Sequence, residues 1–207
     1  MNASLPSALP ADETPADPAV SDARLMEAVR RGERDAFTEI VERHKDPVVC
    51  YLTRLTGNRD RAEDLGQETF LRLYRSAQDG YVEQGYLRAY LFRIATNLVR
   101  SEERRERRLR LLLPFLPTRG HAEPAAPSGL LLEELHREVA VAVSRLPLRY
   151  RVPLVLHEIE GWSYAAIAAE VGCREGTVKS RIHRGRQQLK AALTPYWQGD
   201  TAWKTSG

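Results

Sequence analysis

A length of 207 residues with a formal net charge of +3 allows one large domain or two small ones, and so small a charge singles out no partner. Cys50 and Cys173 are far apart and form no CxxC pattern, which argues against a disulfide framework or a zinc site and for a reduced, cytoplasmic setting. No apolar run approaches the roughly 18 residues needed to cross a bilayer, and the acidic, Pro/Ala-rich start lacks the layout of a signal peptide, so no direct membrane insertion is expected.

Residues 1–20 read as a disordered leader. Ser21 is placed to cap a helix running to Arg31, where Gly32 stops it. A longer helix is predicted over 35–56; Pro47 inside it predicts a kink or break near Asp46, and Gly57-Asn58 ends it. "DRAE" at 60–63 has the spacing of a capping box, with Asp60 accepting from a free amide and Glu63 reaching back, and opens a helix to Ala77. A loop with Gly80 and Gly85 leads to a helix over Leu87–Arg107. Residues 108–129 are rich in proline and glycine and read as a flexible linker. Leu111–Leu113, Phe115 and Leu116 are unusual in such a segment; packing on the first domain and docking on a partner account for them equally well. Leu135, Val139, Val143 and Leu146 form the helical stripe of a second domain, 130–195. Pro147 begins an element over 148–160 that ends at Gly161, Ser163 caps a short helix over 164–170, and Gly172 opens a turn into a last helix, with 196–207 as a tail. No β-type alternation and no repeat occurs. The expected fold class is all-α, two small helical domains at 21–107 and 130–195.

Charge is unevenly distributed. Residues 1–23 carry four acids and no base, 100–110 six arginines against three glutamates, and 172–190 six bases against one acid. Local basic clusters are the footprint of nucleic acid, although solvated helix faces share it. In "VGCREGTVKSRIHRGRQQLK" (171–190) the apolar residues Val171, Val178, Ile182 and Leu189 recur at helical spacing among the bases. The helix before it aligns Tyr164, Ile167, Ala168 and Val171, and two such helices joined by a short glycine turn describe a helix-turn-helix. The second helix of that unit lies in the major groove. Opposite Val178 and Ile182 it would present Arg174, Lys179, Ser180, His183, Arg184 and Gln187, with Thr177 near its start. A good bidentate base contact supplies roughly 1–3 kcal/mol of discrimination. Arg181, Arg186 and Lys190 on the flanks suit phosphates, which position the helix without reading sequence.

In the helix from Asp60, the residues Ala62, Leu65, Phe70, Leu73, Tyr74 and Ala77 form a core arc. Its other side carries Asp64, Gln67, Glu68, Leu71 and Arg75, a face that suits docking on a basic helical partner or is simply solvated. In the helix from Leu87, the core stripe is Leu87, Tyr90, Leu91, Ile94, Ala95 and Leu98. The outward side offers Phe92, Arg93, Thr96 and Arg100, with Asn97 at its edge and Arg88 near the helix start. A ring beside guanidinium and amide groups is what single-stranded nucleic acid requires. Tyr81 and Tyr86 in the preceding loop add either stacking surface or core packing.

"AEDLGQETFLRLYR" (62–75), "YLFRIATNLV" (90–99) and "EGWSYAAIAAEVGCREGTVKSRIHRGRQQL" (160–189), in that order with a Pro-rich break before the third, resemble the extracytoplasmic-function (ECF) group of bacterial sigma-70-type sigma factors. The resemblance covers residues 22–195. It implies that 21–107 is a region 2-like domain and 130–195 a region 4-like one. By the same resemblance Asp64, Gln67, Glu68, Leu71 and Arg75 dock on the β′ clamp helices of core RNA polymerase. Tyr81, Tyr86, Arg88, Phe92, Arg93, Thr96, Asn97 and Arg100 melt and read the promoter −10 element. The last helix reads the −35 element, and its domain touches the β flap. An anti-sigma factor is the further partner class the resemblance adds. Three positions depart from the family pattern: Gly66 inside a helix, at a cost of about 1 kcal/mol against alanine; Tyr90, where tryptophan is commonest; and His183, at a variable position that leaves the −35 sequence open.

No catalysis, cofactor or metal is expected. His157-Glu158 lacks the second histidine of HExxH, and neither GxGxxG nor GxxxxGK[ST] occurs. A DNA-binding regulator with a sensory first domain would need buried strands that 21–107 does not offer. Residues 108–129 as a coil would span roughly 25 Å, and about 70 Å when stretched. Two promoter elements more than two DNA turns apart, each turn ~34–36 Å, would therefore be held in register by polymerase rather than by the linker.

Overall fold

The computed structural model describes residues 21–83, 85–112 and 131–199; the leader at 1–20, residues 113–129 of the linker and the tail from 200 lie outside it. Among the described residues there are eight α-helices and no strand: α1 (Asp22–Arg30), α2 (Arg34–Thr56), α3 (Arg59–Gln78), α4 (Leu87–Leu112), α5 (Leu131–Arg145), α6 (Leu148–Glu158), α7 (Tyr164–Val171) and α8 (Glu175–Gly199). The chain divides between Arg119 and Gly120 into two compact units, the first holding α1–α4 and the second α5–α8. No described helix is long and apolar enough to cross a membrane.

In the first unit Ser21 is extended and its side chain accepts from the Arg24 amide at 3.4 Å, starting α1. Asp22 ties α1 to α2, accepting from Arg43 and meeting His44 Nε2, both at 2.9 Å. Burial pushes the Asp22 carboxyl up, but His44 and Arg43 outweigh it and hold the group below its ordinary value. α2 runs unbroken through Pro47, so the break expected near Asp46 does not form. Val48, Tyr51, Leu52 and Leu55 beyond the proline are all buried, and that packing outweighs the ~3 kcal/mol a helix-interior proline costs. Gly57, at φ 70°, ends α2. Asn58 then caps α3, its side chain accepting from the Arg61 amide at 2.8 Å. Asp60 is therefore a first-turn residue, and Glu63 accepts from Arg59 instead of reaching back.

α2 packs against α1, α3 and α4. At its centre Tyr51 lies flat on Phe92, with ring centroids 4.5 Å apart and planes 5° from parallel, and its hydroxyl shares a 2.7 Å hydrogen bond with Thr96 Oγ1. All three residues are fully buried. Gly66 of α3 is buried against α2, where a Cβ would stand 3.2 Å from Val49 Cγ2. Its role is close helix approach, which the propensity cost alone does not reveal. Tyr74, expected in the core arc, is exposed and meets Phe37 edge-on at 5.1 Å. α4 continues five residues past its expected end at Arg107, to Leu112. Arg61 of α3 ties down the turns before this extension, donating to Glu102 and Glu106 at 2.8 Å each.

In the second unit α8 packs on α5, α6 and α7. Val143 and Leu146 are buried as expected and Val139 half-buried; the side chain of Leu135 lies outside the described ones. Arg151 is buried, its Nε donating to the Leu146 carbonyl at 3.0 Å and so satisfying a terminal acceptor of α5. Gly185 of α8 faces α6, where a Cβ would meet Leu154 and Tyr150 at 3.6 Å, an ordinary contact.

The two buried glycines predict opposite responses. Gly185→Ala should raise the stability of the second unit by up to about 1 kcal/mol through helix propensity. Gly66→Leu should lower that of the first by roughly 1–3 kcal/mol through overpacking. Urea unfolding of each variant measures both, and shifts of the same sign would contradict the packing described.

Candidate nucleic-acid interface

The second unit builds a helix-turn-helix from local signals. Ser163 Oγ accepts from the Ala166 amide at 3.2 Å and starts α7. Gly172, at φ 71°, ends it, and the amides of Gly172 and Cys173 both donate to the Ala168 carbonyl at 3.0 Å. A left-handed residue at this position suits glycine, and it confines the turn to residues 172–174. The Arg174 carbonyl then accepts from Thr177 and Val178 as α8 begins. Ile167, Val178 and Ile182 are buried between the helices. Tyr164 and Val171, expected inside, are half-buried, Tyr164 because it stacks on His157 at 4.5 Å at the edge of the core.

At 100° per residue, Ser180, His183 and Gln187 lie opposite the seam of Val178, Ile182 and Gly185. Thr177, Arg181 and Arg184 form one shoulder, and Lys179, Arg186 and Lys190 the other. His183, Arg184, Arg186, Gln187 and Lys190 are exposed, as are Arg174, Lys179 and Ser180, whereas Thr177 and Arg181 are half-buried. Several of these side chains are braced. Lys179 Nζ stands 5.5 Å from the Tyr164 ring centre, Arg181 lies 3.8 Å from Cys173 Sγ, and Arg186 Nε donates to Glu158 at 2.9 Å. Arg184 and Arg149 donate to the Tyr150 hydroxyl and hold it below the ordinary phenol value.

In the first unit the expected outward face of α4 needs correction. Phe92 and Thr96 are both 0% exposed; they point at Tyr51 and cannot meet a ligand. Tyr90 and Ile94, expected in the core, are half-buried instead. The physical reason is that α4 is covered by both α2 and α3, so its buried arc is wider than a single stripe and turned toward Phe92. Arg93, Asn97 and Arg100 remain together on the outward side at i, i+4, i+7. Asn97 is exposed, and Arg93 and Arg100 are half-buried. Arg88 lies elsewhere, 5.4 Å from the Phe92 ring centre.

The loop before α4 is organised by a residue the sequence did not flag. Glu83 is 6% exposed; it accepts from the Tyr81 hydroxyl at 2.5 Å and from the Tyr86 amide. A lone carboxylate between two tyrosines carries no recognisable pattern, so sequence reasoning had no signal for it. Tyr81 stacks on Tyr90, centroids 4.2 Å apart. Burial, then the bond to Glu83, push its hydroxyl far above the ordinary phenol value. On α3, Asp64, Gln67, Leu71 and Arg75 are exposed and Glu68 half-buried on one side of the helix, with Leu71 at 49%. Arg72 donates to Glu68 at 2.8 Å and holds that carboxyl below its ordinary value. Among the described residues no group of three or more His, Cys, Asp or Glu side chains could hold a metal ion.

Residues 40–109 match the family described as Sigma-70 region 2, and residues 136–189 the one described as Sigma-70, region 4. The ECF RNA polymerase sigma factor SigE of Mycolicibacterium smegmatis is 40% identical over 189 residues, covering 90% of this chain and 71% of the relative. The ECF RNA polymerase sigma factor SigW of Bacillus subtilis is 31% identical, covering 82% of this chain and 95% of the relative. In three dimensions the chain is similar to the sigma factor RpoE of Bartonella quintana, crystallised with the anti-sigma factor NepR (TM-score 0.61, 28% identity, 76% of this chain and 96% of that one). It is also similar to CnrH, solved with the cytosolic domain of CnrY (TM-score 0.59, 25% identity, 84% and 97%).

The two perturbed tyrosines predict a split titration. Tyr150, depressed in the fold, contributes stability above the unfolded phenol value of about 10, lost as pH falls through its folded value; Tyr81, raised, contributes below about 10 and loses it as pH rises further. In a spectrophotometric titration, Tyr150→Phe should remove a tyrosine that ionises early, and Glu83→Gln should bring a late one down. Titrations unchanged by either substitution would contradict these placements.

Proposed function

The chain belongs to the ECF RNA polymerase sigma factors and acts in transcription initiation, and from that premise we propose how its two units divide the work. The second unit reads the promoter −35 element, with α8 in the major groove. Ser180, His183, Arg184 and Gln187 face base edges, Arg174, Lys179, Arg186 and Lys190 hold phosphates, and Thr177 and Arg181 line the edge of the contact. The same unit meets the β flap of core polymerase. In the first unit Asp64, Gln67, Glu68, Leu71 and Arg75 of α3 dock on the β′ clamp helices, where ionised Glu68 beside an exposed leucine suits a basic helical partner.

Arg93, Asn97 and Arg100, with Tyr81 and Tyr86 of the preceding loop, capture the unpaired strand of the −10 element, and Arg88, set apart from that row beside Phe92, would reach the strand only from the start of the helix. Phe92 and Thr96 are core residues and have no part in it. Capture lowers the free energy of the opened promoter without any covalent step, since an unpaired base gains stacking and hydrogen bonds on the protein. The reading therefore assigns no catalysis, no cofactor and a place in the cytoplasm beside the polymerase. The observation that carries it is the coexistence, in one chain of this family, of a helix-turn-helix with an exposed basic second helix and a separate helical unit that turns Arg93, Asn97 and Arg100 outward. The complex of the Bartonella quintana factor with NepR supports an anti-sigma partner for this chain as well.

Purified protein added to core polymerase should yield promoter-specific transcripts from genomic templates, including the DNA upstream of its own gene; no transcript from any of them would reject the reading. For α8, Arg184→Ala should relax sequence preference, costing roughly 1–3 kcal/mol at one base position. Arg186→Ala should weaken binding to every sequence alike and lower the salt slope by about 1. Identical behaviour of the two variants across salt concentrations would overturn the assignment of the helix's faces.

A further inference from the structure

We propose that the C-terminal turns of α4 form a phosphate-binding ridge, Arg104, Arg107 and Arg108, that grips the backbone of duplex DNA beside the segment the first unit opens. The proposal rests on the sigma-factor reading and extends it to residues that reading leaves without a task.

At 100° per residue, Arg93, Arg100, Arg104 and Arg107 fall within about 60° of one another, and Arg108 lies just beside them. The ridge thus continues the face of α4 that bears Asn97. Arg104, Arg107 and Arg108 are exposed. Arg104 and Arg108 make no ion pair with the described residues, and Arg107 makes only a long one, 3.4 Å to Glu103. Two of the three acids of the same segment are turned elsewhere. Glu102 and Glu106 project to the opposite side, where Arg61 of α3 holds both at 2.8 Å. In the fold this segment becomes a cationic edge with two of its three glutamates held behind it, and Glu103 stays beside Arg107.

The geometry selects the partner. With a rise of ~1.5 Å per residue, the row from Arg93 to Arg108 extends roughly 22 Å, against one phosphate per ~3.4 Å of each strand. From Arg100 onward the row carries no aromatic side chain, so it lacks the stacking surface an unpaired strand requires. Guanidinium groups without such a surface suit the backbone of a duplex, whose contacts position a protein without reading sequence. An acidic surface of the polymerase is the competing occupant.

The test uses holoenzyme assembled from core polymerase and the full chain, with two probes: a promoter fragment recovered by transcription, and an unrelated duplex of equal length. In the Arg104→Gln, Arg108→Gln double variant, the slope of log Kobs against log salt concentration should shrink by about 2 on both probes, at ~0.9 per lost phosphate contact. The −10 sequence preference should not change. Both sites are exposed and glutamine is a good helix former, so α4 stays folded; the single Arg108→Gln variant near the helix end should give half the effect. An unchanged slope would overturn the ridge. So would weakened assembly with core polymerase in the absence of DNA, or an equal loss in Arg105→Gln, which lies off the row. Failure of the underlying reading is distinguishable, because then the unaltered chain directs no transcription at all.

Discussion

The orientation of α4 about its own axis depends on one buried contact, the Tyr51 ring lying flat on Phe92 with its hydroxyl bonded to Thr96. An aromatic pair of this kind contributes about 0.5–1.5 kcal/mol beyond its buried area. Its larger consequence is geometric: breaking the buried hydroxyl's bond to Thr96 would penalise a rotation of the helix. With Phe92 and Thr96 held inward, the i, i+4, i+7 row of Arg93, Asn97 and Arg100 must point outward. Rotate α4 by one residue and an aromatic and a threonine replace the arginines on that face. The face that α4 turns outward is therefore decided by its packing on α2.

The second unit obeys the same logic with different parts. Val178, Ile182 and Gly185 seat α8 against α7 and α6, and the left-handed Gly172 sets the angle at which it leaves α7. Once those are placed, the six bases of the segment distribute over the remaining surface. Neighbours then constrain them: Tyr164 under Lys179, Tyr150 beside Arg184, Glu158 across from Arg186. Braced side chains lose less conformational freedom when a partner arrives, which favours binding without adding a contact.

Much of this was legible in the sequence, for reasons that particular residues make plain. Ile167, Val178 and Ile182 recur at helical spacing around Gly172, so the helix-turn-helix follows from periodicity and one punctuating glycine. Asp64, Gln67, Glu68 and Leu71 fall on one face because helical spacing sets them opposite the buried Ala62, Leu65, Thr69 and Leu73. Where α4 is covered by two helices, a one-stripe wheel placed Phe92 and Thr96 outside. Asn58 displaced Asp60 as the cap because it directly follows the glycine that ends α2, and Pro47 broke nothing because Val48, Tyr51, Leu52 and Leu55 beyond it are buried. Glu83 and the approach of Gly66 to Val49 are tertiary facts, invisible to any local pattern.

The division of faces in the first unit, α3 toward the polymerase and the outward row of α4 toward the promoter, is the claim on which the functional account stands. Site-specific photocrosslinking in the open complex tests it most directly, with the reactive group placed at position 97 in one protein and at position 67 in another. The account predicts that position 97 labels the unpaired strand and position 67 labels the β′ subunit. Exchanged labels, or DNA labelled from position 67 and nothing from position 97, would contradict it.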